Sequence, residues 1–322
     1  MMSARVVDVA SVPLPSGTYA EEVEAFDGAC LRIVHYGGPG TRGTALIIPG
    51  WAEPSEKYAE VAFDLIDRGF KVVCCDPRGQ GLSQRCTDED GRCRIDDFQK
   101  HVHDLGTIVD HLGADRLTLV CHSLGGLIGL SWLAGGGHAD AVALSAPATR
   151  IIPSPLTRGL ARGLAGVLVA AGLGDQPLPR KNNAMTFEGN SLTSDPARHG
   201  VLRDLLIADE ALALPQVNFH VVKAIHEAQA LLQKPEVIAK LPAPILLVSA
   251  ALDSWVDPTH HDILAKRYPD VFDVVKVEGA LHELFMEQDQ YRDQFWDAFD
   301  LYIDKMIPKE AAEPQTVSAD ST

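Results

Sequence analysis

The run Leu117-Thr-Leu-Val-Cys-His-Ser123-Leu-Gly-Gly126 constrains the fold more than any other stretch of the chain. A short apolar, β-prone run stops at a serine, and Leu124-Gly-Gly-Leu-Ile-Gly-Leu-Ser-Trp132 continues with helical character. The pattern predicts a strand, a sharp turn and a helix, with Ser123 at the apex. Such a turn pushes a hydroxyl out of a sheet, and the helix N-terminus behind it favours developing negative charge. The motif is x-x-Ser-x-Gly, with Cys121 where glycine is usual. Cysteine is small, which keeps close approach of strand and helix feasible. Serine is also a common N-cap, so a purely structural role competes with a nucleophilic one.

A serine nucleophile needs a base, and the base needs an orienting acid. Pro244-Ile-Leu-Leu-Val-Ser249 reads as a buried strand that runs into Asp253, and Val271–Val277 reads as another that runs into His282. Both side chains therefore belong on loops beyond strand C-termini, where open α/β sheets place their ligands. Asp257 competes with Asp253 but better fits the cap of a helix beginning near Pro258. His260 and His261, at the start of that helix, are expected to be solvated. An oxyanion also needs backbone donors. The amide of Leu124 is one candidate; the amide of Trp51, after the strand Thr44–Pro49 and the turn at Gly50, is the other.

Strand-like runs fall near 30–35, 44–49, 70–76, 116–121, 139–145, 243–249 and 271–277, and helical patterns near 56–68, 96–112, 124–134, 258–267 and 287–305. The alternation predicts an α/β fold: a mostly parallel sheet flanked by helices. It breaks between residues 147 and 241, where prolines, a polar loop and helical patterns replace strands. That stretch is expected to form a helical cap, or lid, over a core made of 1–146 and 242–307. Residues 308–322 are small and polar and are expected to be disordered. Tyr291, Phe295, Phe299 and Tyr302 recur at helical spacing, as a core-facing stripe does.

The chain has 28 Lys plus Arg and 44 Asp plus Glu, a formal net charge of −16. That disfavours nucleic acid and anionic membrane surfaces as electrostatic partners, while leaving apolar contact with a lipid open. No secretion signal or spanning segment is evident: Pro13 and Pro15 interrupt the N-terminal region, and the apolar stretch Leu164–Leu173 is short. The expectation is a cytoplasmic protein, with transient membrane contact left open. Six cysteines form no dense disulfide framework, and a clip between Cys86 and Cys93 is disfavoured. His101, His103 and His111 lie on one predicted helix, the first two on different faces, and no metal site is expected.

Three segments resemble a known family. Pro49-Gly-Trp-Ala-Glu53-Pro-Ser-Glu-Lys57-Tyr58, Asp76-Pro-Arg78-Gly-Gln80-Gly-Leu-Ser83 and Gly279-Ala-Leu-His282-Glu283-Leu-Phe-Met-Glu287 are similar to the oxyanion, Arg-Gly and histidine loops of serine α/β-hydrolases. Within that fold they resemble the bacterial lysophospholipase and monoacylglycerol lipase group. The resemblance implies an α/β-hydrolase fold and a cofactor-free carboxylic-ester hydrolase acting on a lipid-like monoacyl ester. It implies a Ser123–Asp253–His282 triad with Trp51 and Leu124 as oxyanion donors. Trp51 departs from the more usual small or basic residue. A soluble-ester or C–C hydrolase, acyl transfer to an alcohol and a non-catalytic binding protein are the competing readings; dehalogenase and epoxide-hydrolase relatives carry aspartate at the elbow instead. The oligomeric state is left open.

Overall fold

Strands whose successive residues are all apolar need cover on both faces, because side chains alternate sides along a strand. The computed structural model describes residues 4–85, 95, 97–151, 165–176, 185–214 and 217–308. Eight strands form one sheet: β1 Tyr19–Glu24, β2 Cys30–Gly37, β3 Thr44–Ile48, β4 Lys71–Cys75, β5 Leu117–His122, β6 Ala141–Ser145, β7 Ile245–Ala250 and β8 Phe272–Val277. Their spatial order is β1-β2-β4-β3-β5-β6-β7-β8. β2 pairs antiparallel with β1 and β4, and every other neighbouring pair is parallel.

Alternate residues of each strand feed two apolar layers. Leu119 and Cys121 of β5 and Leu247 of β7 enter one layer with α2 (Gln99–Leu112), α3 (Leu124–Ala134), α6 (Phe219–Leu232) and Leu264 of α8 (Pro258–Arg267). Val120 and Val248 enter the other with α1 (Ala59–Asp67) and α9 (Asp289–Met306). Phe295, Phe299 and Tyr302 of α9 are buried there, as their spacing predicts. The sheet and its two helical layers make up the α/β fold expected from the alternation.

Between β6 and β7 the described residues are helical or irregular: α4, described over 165–170, α5 Pro196–Ala208, α6 and the single turn α7 Pro235–Ile238. Local chemistry sets the helix starts. Asp195 accepts hydrogen bonds from the amides of Ala197 and Arg198 with Pro196 in the first turn, and Asn218 accepts from Val221.

Three expectations change. β1 is an additional edge strand; its sequence Tyr-Ala-Glu-Glu-Val-Glu buries only Val23, so it carries little apolar signal. The helix expected near 56–68 divides into a 3₁₀ turn at Ser55–Tyr58 and α1. His260 and His261 are buried rather than solvated. His260 Nδ1 lies 2.9 Å from Thr149 Oγ1, and His261 is bonded to Ser249 Oγ and the Pro147 carbonyl. Asp257 caps the helix start, and the helix turns the face carrying His260, His261 and Leu264 inward. Cys86, Cys93 and residues 309–322 lie outside the described residues.

Candidate active site

The C-terminal ends of β3, β5, β7 and β8 deliver four loops to one region. Ser123 follows β5 with φ 49° and ψ −112°, a strained conformation for a non-glycine residue. Its amide stays in the sheet ladder, donating to the Ser145 carbonyl at 3.0 Å. Glycines let the following helix come close. A Cβ on Gly125 would lie 2.0 Å from the Ile48 carbonyl oxygen, and one on Gly126 would lie 2.6 Å from Pro147 Cβ. Ser123 makes no side-chain cap bond to α3. Its Oγ instead lies 3.0 Å from His282 Nε2.

His282 Nδ1 lies 2.6 Å from Asp253 Oδ2, while Asp253 Oδ1 accepts from the amides of Trp255 and Val256 at 2.7 and 2.9 Å. Two amides thus fix one carboxylate oxygen and leave the other for the imidazole. Asp257, the competing acid, accepts from Thr259 as the α8 cap. Burial alone would lower the His282 pKa, but the Asp253 carboxylate outweighs it, and the value stands above the ordinary one. Burial likewise raises Asp253, and His282 more than offsets it, so that group is held below the usual carboxylate range. The pair favours an ionised acid beside a basic imidazole.

Trp51 and Leu124 sit at the ends of the loops after β3 and β5. Among the described residues, neither backbone amide is given to an acceptor. The loop carrying Trp51 is held from several sides. A Cβ on Gly50 would lie 2.5 Å from Glu53 Oε2 and 3.0 Å from His122 Cδ2, so only glycine fits. The Gly50 amide donates to Glu53 Oε2 at 2.7 Å, and the Ala52 amide to Gln80 Oε1 at 2.6 Å. Trp51 itself is half-buried and packs against the apolar layer beneath.

Two buried ionic groups brace these loops. Lys57 Nζ lies 2.5 Å from Glu53 Oε1 and 2.7 Å from Glu283 Oε1, and Tyr58 donates to Glu53 Oε2 at 2.6 Å. Burial would push Glu53 up, but Lys57 holds it well below the usual range; Glu283, with burial dominating, is pushed up. Behind them, Arg32 bonds Asp76 at 2.7 Å and Glu56 in bidentate fashion at 2.8 Å. Asp76 also accepts from Ser55 and Leu82, which fixes the Arg-Gly loop behind the loop that carries Trp51.

The structure brings Ser123, Asp253 and His282 into one chain of contacts and puts the Trp51 and Leu124 amides at the loops beside it. Sequence reasoning did not find His122 or Trp255. The His122 ring lies 4.9 Å from that of His282, with burial pushing its pKa down to about 4. The Trp255 ring lies 6.5 Å from the same imidazole. Adjacency to Ser123 and Asp253 was the only signal for either. Among the described residues, no helix is long and apolar enough to cross a membrane, and no His, Cys, Asp and Glu cluster is arranged to hold a metal.

Comparison with known proteins agrees with this architecture. The chain is 29% identical over 259 residues to a probable lysophospholipase L2 of Haemophilus influenzae, covering 78% of this chain and 80% of that one. It is 27% identical over 302 residues to lysophospholipase L2 of Escherichia coli K12, covering 84% and 83%. Its fold matches a soluble variant of the monoglyceride lipase of Saccharomyces cerevisiae with a TM-score of 0.72 at 21% identity, covering 90% of this chain and 98% of that one. The family model described as serine aminopeptidase S33, Hydrolase_4, matches residues 39–289, and with a sheet, elbow and loops of this form the chain belongs to that hydrolase family.

Proposed function

We propose that the protein is a serine carboxylic-ester hydrolase that cleaves monoacyl lipid esters, lysophospholipids or monoacylglycerols, through an acyl-enzyme. The observation that carries this reading is His282, whose two ring nitrogens contact Ser123 at 3.0 Å and Asp253 at 2.6 Å. His282 takes the Ser123 proton as Oγ attacks the ester carbonyl, and the Trp51 and Leu124 amides hold the oxyanion. The imidazolium, stabilised by Asp253, then protonates the leaving alcohol. Water, activated by His282, releases the fatty acid and restores Ser123. No cofactor takes part in any of these steps.

The lysophospholipase names of the two bacterial relatives support the lipid class. The described helices between β6 and β7 act as a lid that receives the acyl chain. Exposed Leu252 and Trp255 on the acid loop, with Phe187, Val167 and Leu173 on the lid, support transient contact with a lipid surface. The free cysteines Cys30, Cys74, Cys75 and Cys121 support a reducing, cytoplasmic location.

The test is a panel of lysophospholipids, monoacylglycerols and p-nitrophenyl esters of graded chain length, with wild type and Ser123→Ala. Turnover of the monoacyl lipids, with a loss of at least ~10³-fold in Ser123→Ala, is expected. Activity confined to short soluble esters would overturn the lipid assignment, and a Ser123→Ala enzyme retaining most of its rate would overturn the nucleophile.

A further inference from the structure

The histidine loop is bound to a segment that follows α4 by nearly a hydrogen bond per residue. Glu283, next to His282, donates its amide to the Leu192 carbonyl at 2.8 Å. Thr193 Oγ1 donates to the Met286 carbonyl at 2.5 Å. At the centre is Glu287, with no exposed surface. Its Oε1 accepts the Leu281 amide at 2.7 Å, one residue before His282. Its Oε2 accepts from the Ser194 amide at 3.0 Å, the Ser194 hydroxyl and the Gln288 amide at 3.1 Å. Arg198 closes the arrangement by donating to the Glu287 carbonyl at 2.7 Å.

A buried carboxylate with four donors is well satisfied, and its geometry is fixed by all of them together. One oxygen grips the chain that carries His282, and the other grips the segment 192–195. We propose that Glu287 is a positioning residue: it buckles the loop of His282 to residues 192–195, so the setting of the insertion fixes where the imidazole sits against Ser123. Glu287 does not touch the reacting atoms. The inference rests on the assignment of His282 as the catalytic base.

An amide in place of the carboxylate tests this. In Glu287→Gln, one end of the side chain becomes a donor that faces either the Leu281 amide or the Ser194 amide. The two loops then lose their common anchor without a change of volume. Rates on a p-nitrophenyl ester are normalised to sites titrated by a fluorophosphonate, which removes any misfolded fraction. The expected result is a kcat per titrated site lowered about 10- to 100-fold, with KM within about twofold. The acid limb of the pH–rate profile also moves, because the contact of His282 with Asp253 shifts. Thr193→Val breaks the neighbouring cross-link from the other side, keeps the volume and leaves every histidine-loop side chain intact. It should give the same kcat-against-KM split, about 3- to 10-fold. An unchanged kcat per site and an unchanged acid limb in Thr193→Val, or in Glu287→Gln where it folds, would overturn the proposal. Failure of the parent assignment reads differently: Ser123→Ala or His282→Ala would then keep activity, whatever Glu287 does.

Discussion

Cys121 and Gly129 share one small volume beneath the elbow. Cys121 has no exposed surface, and a Cβ on Gly129 would lie 3.0 Å from its Sγ. The thiol thus fills space that the facing helix residue leaves empty, and the strand and helix keep their approach although the elbow glycine is absent. Alanine in a helix is better than glycine by up to ~1 kcal/mol, so Gly129→Ala sets a propensity gain against crowding of the sulfur. The two substitutions should therefore couple. Gly129→Ala is expected to be more favourable in a Cys121→Ala background than in wild type by about 1 kcal/mol, read by urea denaturation. Strict additivity would show that the two side chains do not compete. At this scale the placement of Ser123, Asp253 and His282 together is legible, because each follows a recognisable strand, and a strand end marks a loop. The contact of Gln80 with the Ala52 amide is not, because it joins loops whose distance depends on the whole sheet. His260 and His261 were misread for a related reason: an N-cap position says where a helix begins, not which way it faces.

Among elements, the loop that carries Trp51 and the loop that carries His282 meet through Lys57. Its ammonium is buried between Glu53 on one loop and Glu283 on the other. Removing it leaves two buried carboxylates facing each other without a counter-charge, the costly way to break such a group. Lys57→Met is expected to lower stability by about 3–5 kcal/mol, measured by denaturant titration. The Lys57→Met, Glu283→Gln double variant, with one charge fewer to bury, should recover part of that loss; no recovery would mean that the loss does not come from the uncompensated charge of Glu283. Periodicity made seven of the eight strands and the sheet-flanking helices visible, since buried strands read as continuous apolar runs and α9 carries an aromatic stripe. β1 escaped because an edge strand with one buried residue has no such run. The Gly-x-x-Glu spacing and the Lys four residues after Glu53 marked one half of the clip. Its other half, Glu283, lies more than two hundred residues along the chain, and no local pattern pairs them.

For the molecule as a whole, the buried histidines set an acid limit on stability. Burial pushes His101, His122 and His260 down to about 4, and lowers His261 as well, from an ordinary value of 6.5. The folded state keeps these imidazoles neutral, and the unfolded chain protonates them below pH 6.5. The unfolded chain therefore binds more protons between about pH 6.5 and 4, and stability must rise with pH across that window. It is fully present above the unfolded value and is lost as pH falls toward the folded one. Two groups of opposite kind frame this. Asp253, held low, adds stability above its unfolded value of 3.8 that is lost only at lower pH. His282, held high, contributes below 6.5 and loses that contribution as pH rises through its folded value. His101 isolates the effect, since burial is the main cause that holds its imidazole neutral and phenylalanine keeps the ring in place at the cost of no more than a contact with the Arg78 backbone. In His101→Phe the fall in unfolding free energy between pH 6.5 and 4 should be shallower by up to about 1.4 kcal/mol per pH unit, the contribution of one proton. Denaturant titrations of both proteins at half-unit pH steps would measure it. Parallel curves would mean that His101 titrates alike folded and unfolded, and that the acid limit arises elsewhere.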